Sequence, residues 1–334
     1  MLVRPRRNRK SASVRALVRE NKVTGDDLIM PLFLVEGKKV NEVIQSLPVA
    51  NRQSLDTIMK EIAECLKLGV HSFIMFPKIP DEFKDKTATY SYDPKNFYLK
   101  AATKIKKKYP SITLISDVAL DPYSIDGHDG IVRNGEIKND ETLDVLEKMA
   151  VAQADAGFDV LGPSDMMDGR IEAIRDALDV EGHSNVSIMS YTAKYASGFY
   201  GPFRDALDSA PVNDPNIPKD KKTYQMDPAN ATEALIEAEL DSLEGADFLM
   251  VKPAINYLDI IRLLKENSTL PIAAYHVSGE CAMLIAACQN GWLEYTSVMP
   301  EALLSIKRAG ADVIITYFAK DFMKLQLNKK VSLK

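Results

Sequence analysis

One unit recurs along this chain and limits what it can fold into: a short apolar strand, an amphipathic helix, a glycine, then the next strand. Gly157-Phe158-Asp159-Val160, Gly245-Ala246-Asp247-Phe248 and Gly310-Ala311-Asp312-Val313 are three copies of one junction, where a glycine closes a helix and a short turn leads into a strand. Apolar runs predict strands at Leu28 to Leu34, Ser72 to Phe76, Thr113 to Ser116, Val160-Leu161, Ser187 to Tyr191, Phe248 to Val251, Pro271 to Tyr275 and Val313 to Phe318. Between them, helical periodicity predicts Ser54 to Leu68, with Ile58, Ile62 and Leu66 on one stripe and Gly69 after it. It also predicts a helix near Lys95 to Lys108, and one over Asp140 to Ala156 with Leu143, Leu146, Ala150 and Ala154 inward. About eight strands alternating with helices suit a closed (β/α)8 barrel better than an open doubly wound sheet. No GxGxxG follows any strand, so the dinucleotide-binding alternative lacks its phosphate signature. The chain is read as a basic arm over residues 1–27, then a single barrel domain over 28–334 with an active-site lid at about 195–225.

A barrel puts chemistry at the C-terminal ends of its strands. In EGADFLMVKPA, the run Phe248 to Val251 ends in Lys252 and Pro253, which holds a lysine at the mouth of a core. Burial favours the neutral amine, the form that attacks a carbonyl, although a lysine after a strand is often just the first solvated residue. Lys194, at the end of the fifth strand, shifts that balance: two ammonium groups facing one pocket lower each other's pKa. Asp117, Ser164, Asp165, His276, Ser278 and Tyr317 occupy equivalent strand ends and are expected at the same mouth.

The segment SDVALDPYSIDGHDG brings Asp117, Asp121, Asp126, Asp129 and His128 into one loop. Its carboxylates suit a substrate ammonium, a positioned water or a hard cation such as Mg²⁺, or simply capping and solvation. His128 reads as a hydrogen-bonded loop residue, since one imidazole does not make a metal site. The stretch from Ser190 to Asn230 is too long and irregular for an ordinary connection and reads as a lid. It carries Gly198 and Gly201 as pivots, Phe199 and Phe203, and the cations Arg204 and Lys221, which suit a carboxylate-bearing substrate or merely solvent. Asp227-Pro228 is read as a helix start, with Glu237 an exposed acid on that helix.

Composition narrows the partners. A formal charge of −5 gives no reason to expect nucleic acid, and no apolar run reaches the roughly 18 residues that span a bilayer. Cys65, Cys281 and Cys288 are an odd number without CxxC spacing, which argues for a reducing compartment and a cytoplasmic protein. The first residues hold Arg4, Arg6, Arg7, Arg9, Lys10, Arg15 and Arg19 against Glu20, without the apolar core of a secretory signal. A transit segment, a frayed tail and an arm packing on an acidic sister subunit all fit that composition.

SYTAKYASGFYGPFRDA, TYQMDPAN, GADFLMVKPA, PIAAYHVSGE and GPSDMMDGR together closely resemble the porphobilinogen synthase (5-aminolevulinate dehydratase) family, along essentially the whole chain. The resemblance implies a TIM barrel with an N-terminal arm, assembled into homo-oligomers, usually octamers of arm-exchanging dimers. It implies condensation of two 5-aminolevulinate molecules to porphobilinogen with loss of two waters, on the way to haem and other tetrapyrroles. By the same resemblance Lys252 and Lys194 are the Schiff-base lysines, serving the substrates that supply the propionate and acetate sides of the pyrrole. Arg204 and Lys221, with Gln225 nearby, are carboxylate binders for one substrate; Ser278 and Tyr317, with Tyr275, are those for the other. Asp117 and Ser164 sit where the family holds the substrate amine. Part of the family carries three cysteines as a catalytic zinc site where this chain has Ala119, Asp121 and Asp129. The chain therefore resembles the zinc-independent, aspartate-rich branch, in which Mg²⁺ stimulates allosterically rather than catalyses. Glu237 matches the Mg²⁺ ligand, Asp121 and Asp129 are further candidate ligands, and no zinc is expected. Cys281 stands where a tyrosine is usual, which affects local packing alone. A class I aldolase would also use a barrel lysine imine, but it needs one such lysine and no second set of carboxylate binders.

Overall fold

The computed structural model of the protein describes residues 1–331 and 333, so positions 332 and 334 of the barrel domain lie outside the described residues. Eight parallel strands run in chain order around a closed ring: β1 Leu28–Leu34, β2 Ser72–Pro77, β3 Thr113–Ile115, β4 Val160–Leu161, β5 Ser187–Lys194, β6 Phe248–Lys252, β7 Ile272–His276 and β8 Val313–Thr316. The ring closes where β8 pairs with β1, Leu28 beside Ile314. All seven residues of β1 are buried, as befits a strand covered by side chains inside and helices outside.

Helices follow the strands: α1 Ala12–Leu17 in the arm, then α2 Leu55–Leu66, α3 Phe97–Lys108, α4 Asn139–Asp155, α5 Arg170–Val180, α6 Gly201–Leu207, α7 Glu233–Leu243, α8 Leu258–Asn267, α9 Ser278–Gln289, α10 Tyr295–Ala309 and α11 Ala319–Gln326. α2 buries Ile58, Ile62 and Cys65, and Gly69 takes the left-handed conformation that ends it. In α4 the inward face runs through Val145, Leu146, Met149, Ala150 and Ala154, so the predicted stripe is rotated slightly away from Leu143.

The recurrent junction proves to be a clamp. The Asp159 carboxylate accepts the N–H of Leu114, that of Asp247 the N–H of Ile188, and that of Asp312 the N–H of Ile272, each at 2.8 Å. The backbone N–H of each aspartate in turn donates to the carbonyl of that same residue, at 2.7 to 2.9 Å. Each of β4, β6 and β8 is thus fastened, at its N-terminal end, to the start of the strand before it. The preceding Gly157, Gly245 and Gly310 have φ of 96°, 101° and 130°, which a residue with a Cβ rarely adopts.

Two expectations are corrected. Asp227-Pro228 does not begin a helix: the Asp227 carboxylate accepts the Ala229 N–H to make a turn, and α7 starts at Glu233. An Asp before a proline serves a turn as well as a helix cap, and the segment Ala229–Thr232, exposed throughout, has no face to pack as a helix there. The long stretch after β5 has a helix of its own, α6, with Pro202 in its first turn, Ala206 and Leu207 buried, and Asp208 in the left-handed region at its end. The arm, by contrast, buries no residue of α1.

Between α5 and α7 lies a buried ion pair, Arg170–Asp241 at 3.0 Å, with Arg170 also donating to Ser190 of β5 at 3.1 Å. Asp241→Ala leaves that guanidinium without its counter-charge, and a loss of about 3–5 kcal/mol is expected. Asp179→Ala, which breaks the partly exposed Arg175–Asp179 pair at 2.9 Å, is expected to cost less than about 1 kcal/mol. Urea unfolding of the two variants checks the contrast.

Candidate active site

β5 and β6 run in register with Phe248 beside Met189, but Val251 lies beside Ala193, so β5 has gained one residue. That bulge brings Lys194 directly beside Lys252 at the C-terminal end of the barrel. Paired residues of neighbouring parallel strands point to the same face; without the extra residue, Lys252 would face Ala193 and the second lysine would turn away.

Lys252 is buried, and its Nζ lies 4.5 Å from the ring centre of Tyr275, 4.9 Å from Tyr191, 5.1 Å from Phe203 and 5.3 Å from Tyr200. Burial, then the neighbouring charge of Lys194, lowers its pKa to about 7. Roughly half of such lysines are neutral at pH 7, against one in a few thousand for an ordinary lysine. Lys194 Nζ donates to the Ser164 carbonyl and lies 3.6 Å from the Asp129 carboxylate.

The acidic loop faces these amines. Asp117 is held by the Ser164 side chain, and burial, then Asp121, pushes it up to about 7. Asp121 and Asp129 share the Lys221 ammonium, at 3.3 and 3.1 Å. Although burial opposes it, Asp129 is held well below the usual carboxylate range by Lys194 and Lys221; burial raises Asp121. With Lys221 seated between them, these two carboxylates already have their cation, and the arrangement does not favour a metal there. His128 bonds Tyr224 Oη at 3.0 Å and the Pro218 carbonyl at 2.8 Å, as a loop residue does. Gly127 abuts the lid: a Cβ there would come 2.2 Å from the Ala210 carbonyl.

Across the pocket, Tyr275 and Tyr317 hydroxyls lie 3.2 Å apart, and Ser278 Oγ accepts the Phe203 N–H at 3.0 Å. Gln225 is buried with its carbonyl oxygen unpartnered, and Arg204, on α6, makes no ion pair among the described residues. His276 is not at the mouth. It is buried on the outer side of β7, beside Thr316 Oγ1 at 3.0 Å and Cys281 Sγ at 3.4 Å, and burial lowers it to about 3, which keeps it neutral. Alternation along the strand explains this, because Tyr275 takes the inward position. Asp165 also turns aside, accepting the Met167 N–H at 2.8 Å near Arg170.

Sequence reasoning passed over Tyr191, Tyr200 and Glu280. Tyr191 stands three residues before Lys194, a spacing that looks outward until the bulge is known. Glu280 accepts four backbone N–H groups, which nothing in its sequence context announces beyond its place in a helix's first turn.

A cavity of about 640 Å³ is lined by Glu136, Asp168, Asp227, Glu233 and Glu237, with Lys222 and Gln225 also at its wall. Glu237 is half-buried rather than exposed, and burial, partly offset by Arg170, raises it to about 7. Among the described residues no three His, Cys, Asp or Glu side chains gather into one metal-binding group. Oxygen donors spread around a roomy cavity fit a hard cation that keeps most of its waters, as Mg²⁺ does.

The delta-aminolevulinic acid dehydratase family matches residues 2–325. The chloroplastic delta-aminolevulinic acid dehydratase of Physcomitrium patens is 54% identical over 321 residues, 96% of this chain and 73% of that protein. The delta-aminolevulinic acid dehydratase of Chlamydia pneumoniae is 50% identical over 322 residues, 96% of each. The crystal structure of the Toxoplasma gondii enzyme, delta-aminolevulinic acid dehydratase (porphobilinogen synthase) in complex with the product porphobilinogen, superposes with a TM-score of 0.95 at 48% identity, covering 98% of this chain and 92% of that one.

A pKa near 7 has a kinetic signature. Modification of Lys252 by a small amine-directed reagent, followed by peptide mass spectrometry, is expected to speed up tenfold per pH unit below pH 7 and to level off above it. An ordinary lysine would keep accelerating to about pH 10. Lys194→Met removes the like charge and is expected to move the break upward; a break that stays put refutes the electrostatic coupling.

Proposed function

The chain belongs to the delta-aminolevulinic acid dehydratase family, and from that membership we propose how its own residues divide the work. The activity is the condensation of two 5-aminolevulinate molecules into porphobilinogen with loss of two waters, a lyase reaction of tetrapyrrole biosynthesis. The observation that carries the assignment of roles is the pairing of Lys194 with Lys252 at one mouth, with Lys252 lowered to about 7.

In this reading the neutral amine of Lys252 attacks the ketone of one substrate and expels water, leaving an imine carbon open to attack. Lys194 does the same to the second substrate, and its imine is an electron sink that lets the adjacent carbon lose a proton and join the first imine carbon. The amine of the first substrate then adds to the carbon held by Lys194 and displaces that lysine, closing the ring. Expulsion of the Lys252 amine from the neighbouring carbon, with loss of protons from the ring carbons, makes the aromatic pyrrole and frees both lysines. Asp117, near 7 and beside Ser164, holds the substrate amine and can accept or return a proton at that pH. Tyr275, Tyr317 and Ser278 serve the carboxylate of the substrate on Lys252, because the Tyr275 ring touches that lysine. Ser278 Oγ accepts the lid N–H, so its own hydrogen is left to donate to a carboxylate. Lys221, joined to Lys194 through Asp129, serves the other carboxylate together with Arg204 and Gln225. Phe203, over Lys252, excludes water from the first imine.

In the same reading Glu237, with Asp168 and Glu233 lining the same cavity, would hold a stimulatory Mg²⁺, which would compensate the charge of those acids there. The two short helical segments of the arm bury no residue and its cations are exposed, which suits exchange between subunits of an octamer. Three free cysteines suit a reducing compartment such as the cytoplasm, although several relatives are chloroplastic. No described helix is long and apolar enough to cross a membrane.

Borohydride reduction in the presence of 5-aminolevulinate is expected to leave covalent adducts on Lys252 and on Lys194, and Lys252→Ala to abolish turnover with the fold retained. Adducts on neither lysine would refute the mechanism. For the cation, the ratio of rates with and without Mg²⁺ is expected to fall to one in Glu237→Gln. An unchanged ratio would place the stimulation elsewhere.

A further inference from the structure

The first turn of α9 reads Ser278-Gly279-Glu280, and each of its residues engages a different part of the pocket. Ser278 Oγ accepts the Phe203 N–H of the lid at 3.0 Å. Gly279 lies against the lid's base: a Cβ there would come 2.4 Å from the Phe199 carbonyl oxygen, so only glycine lets the two segments meet. Glu280 is fully buried, and its two carboxylate oxygens accept backbone N–H groups from Ile255 at 2.7 Å, Val277 at 3.0 Å, Asn256 at 3.3 Å and Ala254 at 3.4 Å.

Three of those donors belong to the turn that leaves β6 directly after Lys252 and Pro253, and the fourth to the residue before Ser278. The turn continues neither the strand nor, until Leu258, an α-helix, so its N–H groups have no ladder partner; Ala254 is buried and Ile255 half-buried. A carboxyl group, with two oxygens that can each accept, is the side chain suited to that task; burial pushes Glu280 up to about 7, and the four backbone N–H groups pull in the opposite direction. On the other side of the same segment, the Tyr200 hydroxyl lies 3.1 Å from the Lys252 carbonyl. The Lys252 carbonyl and the amides of the turn that follows it are thereby tied to Tyr200 and to α9.

We propose that Glu280 is a positioning residue that fixes Lys252 relative to Ser278, so that the imine carbon and the carboxylate of one and the same substrate are held at a set separation. This rests on the division of roles given above. Glu280 touches neither substrate in this account; it acts through the backbone of residues 254 to 256 and 277.

Glu280→Gln keeps the shape but turns an NH₂ toward backbone donors, and Glu280→Asp keeps the carboxyl but shortens the reach, so that both donor groups cannot be spanned. The measurement is the ratio of borohydride-reduced 5-aminolevulinate adduct on Lys252 to that on Lys194, by peptide mass spectrometry on folded enzyme, with kcat. Displacement of a reacting group by about 1 Å can cost up to about 100-fold; in Gln and Asp variants the adduct ratio is expected to fall about tenfold or more, with kcat falling alongside. A role in folding alone would lower both adducts together, and an unchanged ratio in either folded variant overturns the proposal. If neither variant folds, hydrogen exchange in the wild-type enzyme decides: amides of Ala254, Ile255 and Asn256 as slow as those of β6 support the clasp, and exchange at solvent-exposed rates overturns it. Wild-type enzyme that forms no adduct would instead refute the imine reading itself.

Discussion

Two amines side by side in a dry pocket repel, and the structure around them is arranged to hold that repulsion without letting it push them apart. The extra residue in β5 sets Lys194 beside Lys252, and both are carried on buried strands that cannot splay. Asp117, Asp121 and Asp129 face Lys194, Lys221 and Lys252, so three acids meet three amines. Strict ionisation of all six would balance on paper, yet burial penalises every charge in the group. With Asp117 and Lys252 both near 7, moving a proton from the amine to the acid costs little. A near match of this kind suits an amine to act as a nucleophile and an acid to carry its proton.

Aromatic surface completes the arrangement. Tyr191, Tyr200, Phe203 and Tyr275 surround the Lys252 ammonium, excluding water while still offering ring faces to the charged form. Two of the four come from the segment after β5 and two from strands, so the seating of that segment and the dryness of the amine go together. Its packing on α9, where Gly279 admits Phe199, is therefore part of the electrostatics as much as of the shape.

Much of this is legible in the chain, for physical reasons that also mark where legibility stops. Lys194 and Lys252 end apolar runs, and an amine at the end of a buried strand is visible from composition alone. The strands themselves follow from β-branched and aliphatic runs closed by glycine. The bulge is not visible, because one added residue leaves no compositional trace, and with it Tyr191 was hidden; His276 was misjudged for another reason, that Tyr275 beside it takes the inward position. Asp227-Pro228 misled because one dipeptide serves both a turn and a helix start, and the choice was made by the exposed residues after it. Glu280 was hidden because its partners are backbone groups, which every sequence possesses equally. The aspartates of the repeated junction were seen as spacing and understood only as hydrogen bonds.

Those three aspartates have a consequence for how the ring can be cut and assembled. Each joins a strand to its immediate predecessor, across 45, 59 and 40 residues, so β3 with β4, β5 with β6 and β7 with β8 are self-contained blocks. Short closures are the least costly in chain entropy, and only the seam between β8 and β1 joins the two ends of the barrel. A circular permutant opened between β4 and β5, or between β6 and β7, keeps every clamp local. One opened inside a block turns its clamp into a contact spanning nearly the whole chain, and it does so on the face away from the lysines, where assembly would suffer before chemistry.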